Sequence, residues 1–383
     1  VIALVLGTGL TVISAETAAD SPPSWACAYV AERLPRALGL LGDDTVSAEE
    51  TREARRGLAL SEAVLTRASN LVLARTLGAS RLIVVRCRDA GVETALEAQD
   101  FDAERPVSGP VVRVVRPRAD LAAAIDEVAS RFAGAPAPGR LDGYRAPLPP
   151  ALSKAGPALA LERASERARG LAAALQDDPA SIDLRLSTVE ALVGARDFDL
   201  AARLGEAALP KDTPPALARA LRFQAGSARL EAGRYAEAAE TFEALRKDGE
   251  TAAVLNNLGV ARFRLREPKA SELFTRASSL PDPRAQDLAF NRSLALIFEG
   301  DAQAALSTLD PLMEGAPADA RARLLRVWAL RMLDREAERA IEWERLMAEA
   351  PSFAPLARPD LARRLERIFR SERCAELGPR SPW

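Results

Sequence analysis

The residues able to do chemistry in this chain are few, and their spacing narrows the field. Histidine is absent from all 383 positions. That removes the side chain that most often acts as a general base near neutral pH, activates a nucleophile or ligates a metal. The three cysteines, Cys27, Cys87 and Cys374, stand far apart, and with no CxxC pair a structural zinc is not expected. Cys27 and Cys87 are the pair able to form a disulfide in an oxidising compartment; two separate buried thiols are the other reading. Asp43-Asp44 and Glu49-Glu50 could hold a cation, but carboxylates placed this way fit a capped helix start better. Ser61 and Ser80 have no base within reach in sequence. Neither GxxxxGK[ST] nor GxGxxG occurs anywhere. No catalytic residue, metal site or cofactor is expected, and an enzyme with a catalytic N-terminal domain is the last alternative.

The whole-chain balance points the same way. Lys and Arg total 52 against 54 Asp and Glu, a formal charge of −2, which supplies no field for nucleic acid or anionic lipid. Lys154, Lys211, Lys247 and Lys269 are the only lysines, so nearly all positive charge is arginine. An apolar fraction of 48% is ordinary for a chain long enough to build two or three domains.

The elements that must position these residues fall into two styles. Val1 to Ala15 is an uncharged apolar run, shorter than the ~20 residues that span a bilayer as a helix. It reads as a signal-like segment over 1–20, cleaved after Ala15 or Ala19, or else as a core strand. Residues 21–133 alternate helix and strand signals. Helices are expected over Trp25 to Leu41, Thr51 to Gly57, Ser61 to Leu77 and Ala119 to Phe132, with strands over Arg81 to Cys87, Gly91 to Ala98 and Val111 to Val115. Residues 134–157 are rich in Pro and Gly and read as a linker, with a foothold at Leu141, Tyr144 and Leu148. Beyond it every strong signal is helical over 158–372, followed by a tail at 373–383.

The helical part repeats. Gly226 and Gly259 are 33 residues apart, Ser293 follows Gly259 by 34, and Pro317 and Pro351 are again 34 apart. Turn-then-helix segments recur at Arg196 to Ala201, Gly233 to Ala238 and Gly300 to Ala305. Phe242, Phe274 and Leu309 are placed to fill the gap between paired helices, and since one pair cannot bury its own apolar face, stacking is required. These residues resemble the tetratricopeptide repeat (TPR), which has a small residue in the first helix, Gly-x-Tyr-x-x-Ala at the turn, a bulky residue four beyond and a closing proline. Units at 217–250 and 286–319 follow the pattern, 182–210 less well. The unit at 252–283 lacks the turn motif and one residue, and 320–351 lacks the glycine, so four to six units are expected.

The resemblance implies a mainly α fold, a right-handed α-solenoid of TPR-like helix pairs whose first helices line a concave peptide-binding face. It also marks candidate site residues. Asn257 precedes Leu258-Gly259, Asn291 holds the matching place 34 residues on, and Gln224 the place one repeat earlier. In peptide-binding members an asparagine there bonds the ligand backbone, because a primary amide both donates and accepts. Arg264 and Arg292 are expected nearby, for an acidic side chain or terminal carboxylate. The other reading is that Asn257 is merely typical of the repeat and Gln224 solvated. Trp328 and Trp343 read as core of the last pairs, and Leu361 to Phe369 as an amphipathic cap.

The order of elements in 21–133, with Leu77-Gly78-Ala79-Ser80-Arg81-Leu82-Ile83, resembles the small amino-terminal α/β domain of TolB, which implies a sheet with helices on one face and a protein-binding role. Together these readings describe a non-enzymatic scaffold or adaptor that captures a partner protein or extended peptide. It would act in the bacterial cell envelope, exported or periplasmic, with no membrane span once a signal is removed. A cytoplasmic regulatory or signalling scaffold is the alternative.

Overall fold

The structure is a computed structural model. It describes residues 10–18, 25–60, 65–89, 91–105, 107–133, 140–280, 285–315 and 320–349. The segment around Ser61, the stretch Leu361 to Phe369, Cys374 and the tail lie outside the described residues. Two compact units divide the chain, the first ending at Ala228 and the second beginning at Arg229.

The first unit opens with β1 (Thr11–Thr17), α1 (Trp25–Leu41), α2 (Ala48–Gly57) and α3 (Arg67–Thr76). A meander follows, β2 (Arg81–Asp89), β3 (Glu93–Asp102) and β4 (Val112–Pro117), and then α4 (Leu121–Phe132). The sheet order is β1-β2-β3-β4, with β1 parallel to β2 (Thr11 opposite Arg81, Thr17 opposite Cys87) and the remaining pairs antiparallel. Part of the segment read as signal-like, or else as a core strand, thus lies in the sheet. Thr11–Thr17 is a core strand, with Thr11 and Val12 essentially without exposure. Cleavage after Ala15 would remove most of the only parallel partner that β2 has among the described residues.

Side-chain alternation explains the layers. Ile13, Ile83, Val85, Cys87, Leu96 and Val114 face α1 and α4. Val12 and Leu82 point the other way, into a second cluster with Ala74 of α3 and Ala79. Helices thus cover both faces at the β1/β2 edge, not one face as the TolB likeness implies. The reason is local: the second face of β1 and β2 presents Val12, Leu82 and Val84, whereas β3 and β4 turn Glu97, Gln99 and Arg113 outward.

The first unit continues with α5 (Pro149–Leu159), α6 (Ala164–Asp177), α7 (Ile182–Gly194), α8 (Phe198–Glu206) and the start of α9 (Pro215–Glu231). Here the expected linker over 134–157 is only partly a linker. Pro149-Pro150 starts α5 where proline suits a helix best, and Ala151 and Ala155 are fully buried. Gly156 lies so close to the Trp25 ring of α1 that an added Cβ would stand 2.5 Å from it. One apolar core runs from Ile13 through α1 and α5 to α7 and α9. The α/β elements and the first helix pairs are one body.

The second unit comprises α10 (Tyr235–Asp248), α11 (Ala252–Arg264), α12 (Ala270–Ser278), α13 (Ala285–Glu299), α14 (Ala302–Gly315), α15 (Ala320–Met332) and α16 (Glu336–Glu349). Every pair from α7/α8 to α15/α16 turns through one left-handed residue: Arg196, Gly233, Arg266, Gly300 and Asp334, at φ of +63°, +77°, +61°, +88° and +56°. In each, the next amide reaches back to a carbonyl five residues earlier, as in Asp301 N–H to Leu296 O at 2.9 Å, which closes the first helix. Phe242, Phe274 and Leu309 fill the pairs with at most 2% exposure. An added Cβ on Gly259 would meet the Phe274 ring at 2.8 Å, which is why that place takes glycine.

Candidate peptide-binding face and the buried charge cluster

On the first helices of the second unit, three amides form a chain. Asn291 Nδ2 of α13 donates to Asn256 Oδ1 of α11 at 2.8 Å, and Asn256 Nδ2 donates to Asn257 Oδ1 at 3.1 Å. Asn257 and Asn291 are 2% and 3% exposed, so the half-exposed member is Asn256, which repeat spacing does not single out. Asn257 Nδ2 is left buried with no acceptor among the described residues. An unmet buried donor of this kind costs about 1–3 kcal/mol.

Seven residues on, the same faces carry aromatic rings, since i and i+7 lie nearly one above the other on a helix. Phe263 of α11 meets Phe298 of α13 edge-on at 5.2 Å, and Phe298 meets Trp328 of α15 edge-on at 5.3 Å. Phe263 and Phe298 are half-buried. The first helices therefore offer amides at one level and a partly open aromatic ladder about 10 Å further along.

The arginines expected beside the amides are not together. Arg264 lies over the Tyr235 ring of α10, 5.8 Å from its centroid. Arg292 lines a pocket between α12 and α14, because it follows Asn291 by one position and so points about 100° away from it. Gln224 is 8% exposed on α9, in the first unit. Trp328 is buried and Trp343 packs partly buried against the same cluster, as core residues.

The largest polar feature is one that sequence reasoning missed. Arg33 and Arg36 of α1, with 1% and 3% exposure, meet Asp183 of α7 at 2.5 and 3.3 Å. Tyr29 and Tyr144 also donate to the Asp183 carboxylate. Arg33 clamps Asp126 of α4 through Nε and Nη2 at 3.0 and 2.9 Å. Arg36 reaches Glu32 at 2.9 Å and Glu190 at 3.1 Å. Arg52 bridges Glu32 and Glu49, and Arg167 of α6 pairs with Glu49 at 2.5 Å. Burial alone would lower the pKa of Arg33, but the facing carboxylates of Asp183 and Asp126 outweigh it and hold the guanidinium firmly charged. Burial raises both tyrosine hydroxyls well above their ordinary value, and Asp183 pushes them further. Charged groups at this depth require such mutual pairing. They fasten α1 to α2, α4 and α7, and α2 to α6.

Asp43-Asp44 and Glu49-Glu50 do not converge on a cation. Glu50 closes a capping box with Ser47, Glu49 serves the cluster, and Asp43 pairs with Arg81 at 3.1 Å. Among the described residues no group of His, Cys, Asp and Glu is arranged for a metal, and no helix is long and apolar enough to cross a membrane. Cys27 and Cys87 are free, buried and adjacent: Cys27 Sγ lies 3.9 Å from Cys87 O and 3.4 Å from Glu16 O. A hydrogen bond between the thiols lowers the pKa of Cys27 and raises that of Cys87.

No family model and no curated protein matches the chain. Among solved structures it is similar to YrrB, described as a TPR protein with an unusual peptide-binding site. The identity is 21% over 52% of this chain and 99% of that one, with a TM-score of 0.41. It is also similar to MamA, at 18% identity over 46% of this chain and 96% of that one, with a TM-score of 0.38. The chain's own pairs, turns and glycine contact define its fold: mainly α, built of TPR-like helix pairs preceded by a small α/β element set.

Proposed function

We propose that this protein is a non-enzymatic scaffold that captures an extended segment of a partner polypeptide across α11, α13 and α15. The observation that carries this reading is the amide chain Asn291–Asn256–Asn257, ending in a buried Nδ2 that lacks an acceptor. A peptide carbonyl would supply that acceptor, and an apolar side chain would cover the ladder of Phe263 and Phe298. The α/β elements act as a second protein-binding module; this part of the reading rests on the TolB likeness of their sequence alone.

The site of action depends on what precedes β1. Thr11–Thr17 is needed in the sheet, so export requires a leader upstream of it, while action in the cytoplasm requires none. The adjacent Cys27 and Cys87 thiols report on the compartment.

The test is affinity capture by the full chain from its own cells, in parallel with the Asn257→Ala/Asn291→Ala variant and with Phe298→Ser. A partner lost with both variants, at a melting temperature near that of the parent, supports the reading. A partner retained by both would move recognition away from the first helices and end it.

A further inference from the structure

Between α12 and α14, with α13 as its floor, lies an open pocket of about 450 Å³ lined by Ser278, Ala289, Arg292, Ala304, Ser307, Thr308 and Pro311. That volume suits a side chain or a short peptide segment. Its walls come from the second helices of two successive pairs, so it does not share a face with the amides, which lie on the first helices. It stands whether or not the amide reading does.

The chemistry of the lining is specific. Arg292 is half-buried and makes no ion pair among the described residues, and its Nε is buried with no hydrogen-bond partner. Among the described residues no carboxylate lines the pocket. The three hydroxyls have already committed their protons to helix carbonyls: Ser278 to Phe274 O at 2.9 Å, Ser307 to Gln303 O at 3.2 Å, and Thr308 to Ala304 O at 3.0 Å. Towards the pocket they present lone pairs. The site therefore offers one guanidinium fork, which matches a single carboxylate bidentately, and acceptors for N–H groups. Inorganic phosphate carries up to two charges against a single cation, has no carbon surface for the apolar wall, and brings only one or two O–H donors to the three oxygens. A peptide segment carries both a carboxylate and N–H donors, and the apolar surface of Ala289, Ala304 and Pro311 accommodates its carbon atoms.

We propose that this pocket binds the carboxylate of a polypeptide segment, with Arg292 as its charged anchor and the wall hydroxyls accepting from the segment's backbone N–H groups. The carboxylate is either an acidic side chain or a chain terminus, and the experiment separates the two.

The full-length protein, labelled for observation of arginine Nε–H and backbone amide resonances, is titrated at fixed ionic strength with four probes. They are acetyl-Gly-Asp-Gly-amide, acetyl-Gly-Gly-Gly with a free carboxylate, acetyl-Gly-Asn-Gly-amide and inorganic phosphate. The Arg292 Nε–H resonance and the amides of Ser307 and Thr308 are expected to move with one of the carboxylate peptides, roughly tenfold more weakly with the Asn peptide. The stronger of the first two probes names the source. Arg292→Met should abolish the shifts, and Arg292→Lys, which keeps charge but loses the fork, should weaken them; the lysine variant decides the matter should the methionine variant misfold. Equal saturation by the Asn peptide, shifts that persist in both variants, or tighter binding of phosphate than of either peptide would each overturn the assignment.

Discussion

Glu190 offers the sharpest test of the buried charge cluster. In that cluster Arg33, Arg36, Arg52 and Arg167 face five carboxylates: Glu32, Glu49, Asp126, Asp183 and Glu190. The exposed Arg56 also reaches Glu49 at 3.4 Å, but Glu190 has one arginine partner among the described residues, Arg36, and shares it with Glu32 and Asp183. Burial, only partly offset by Arg36 and reinforced by the charge of Glu32, raises its pKa from 4.5 to about 7. A carboxyl raised on folding binds its proton more tightly in the native state. Its contribution is therefore present at low pH and lost as pH rises from about 4.5 through about 7. At 1.36 kcal/mol per unit, the shift costs the native state about 2–3 kcal/mol between pH 5 and pH 8. Glu32 works in another window: Arg52 and Arg36 outweigh its burial and lower its pKa, so its stabilisation is lost only as pH falls below the ordinary carboxylate value.

Glu190→Gln keeps an oxygen for Arg36 and removes the charge that burial penalises. Urea unfolding at pH 5, 6, 7 and 8, followed by circular dichroism, should show the parent losing stability across this range. The variant should follow a flatter line and end more stable at pH 8 by on the order of 2 kcal/mol. Parallel pH profiles for the two proteins would refute the reasoning, since they would mean that Glu190 ionises without penalty.

Asp183→Asn leaves Arg33 and Arg36 short of a buried partner and should cost about 3 kcal/mol at pH 7, whereas Asp212→Asn at the exposed Arg145 pair should cost under about 0.5 kcal/mol in the same urea assay. Gly259→Ala places a Cβ 2.8 Å from the Phe274 ring and should lower stability by about 1–3 kcal/mol, while Gly57→Ala, which meets nothing within 4 Å, should be nearly neutral by thermal melting. A fragment beginning at residue 155 loses the α1 partners of Asp183 and Glu190 and should bind hydrophobic dye and unfold without a cooperative transition; a sharp transition would show that the helical part stands alone. Thiol titration of the protein purified from its native compartment should find Cys27 and Cys87 bonded to each other if that compartment is oxidising, and two free thiols on denaturation if it is reducing.

The repeat was legible because its markers are backbone and packing constraints that act on single residues. Gly259 and Phe274 must be small and large opposite one another, and Ala238 and Ala305 are buried completely at their turns. The left-handed turn was legible only where it is glycine, at Gly233 and Gly300. Arg196, Arg266 and Asp334 adopt the same φ with side chains that give no signal. The prolines of 134–157 suggested a spacer because proline interrupts helices, yet at the first turn of one it costs nothing. The face of the helix was the harder matter: a repeat register places Asn291 and Arg292 side by side, whereas the helix turns them to different neighbours.

The cluster was invisible for a different reason. Glu32, Arg33 and Arg36 carry no motif or repeat spacing that would single them out, and they lie on the side of α1 away from the sheet. It is buried only because α5 to α7 fold back over it, a contact between residues about 150 positions apart such as Arg33 and Asp183. Charges buried this way add little net stability over apolar packing, but they penalise any misplaced docking heavily, since each wrong register strands an ion. The α/β elements therefore fix where the first helix pairs sit through charge matching, while the pairs of the second unit are fixed by shape, as at Gly259 and Phe274. The amides and the Arg292 pocket both occur in the second unit, where Asn257 Nδ2 and Arg292 Nε are buried without a hydrogen-bond partner among the described residues and remain able to meet a ligand.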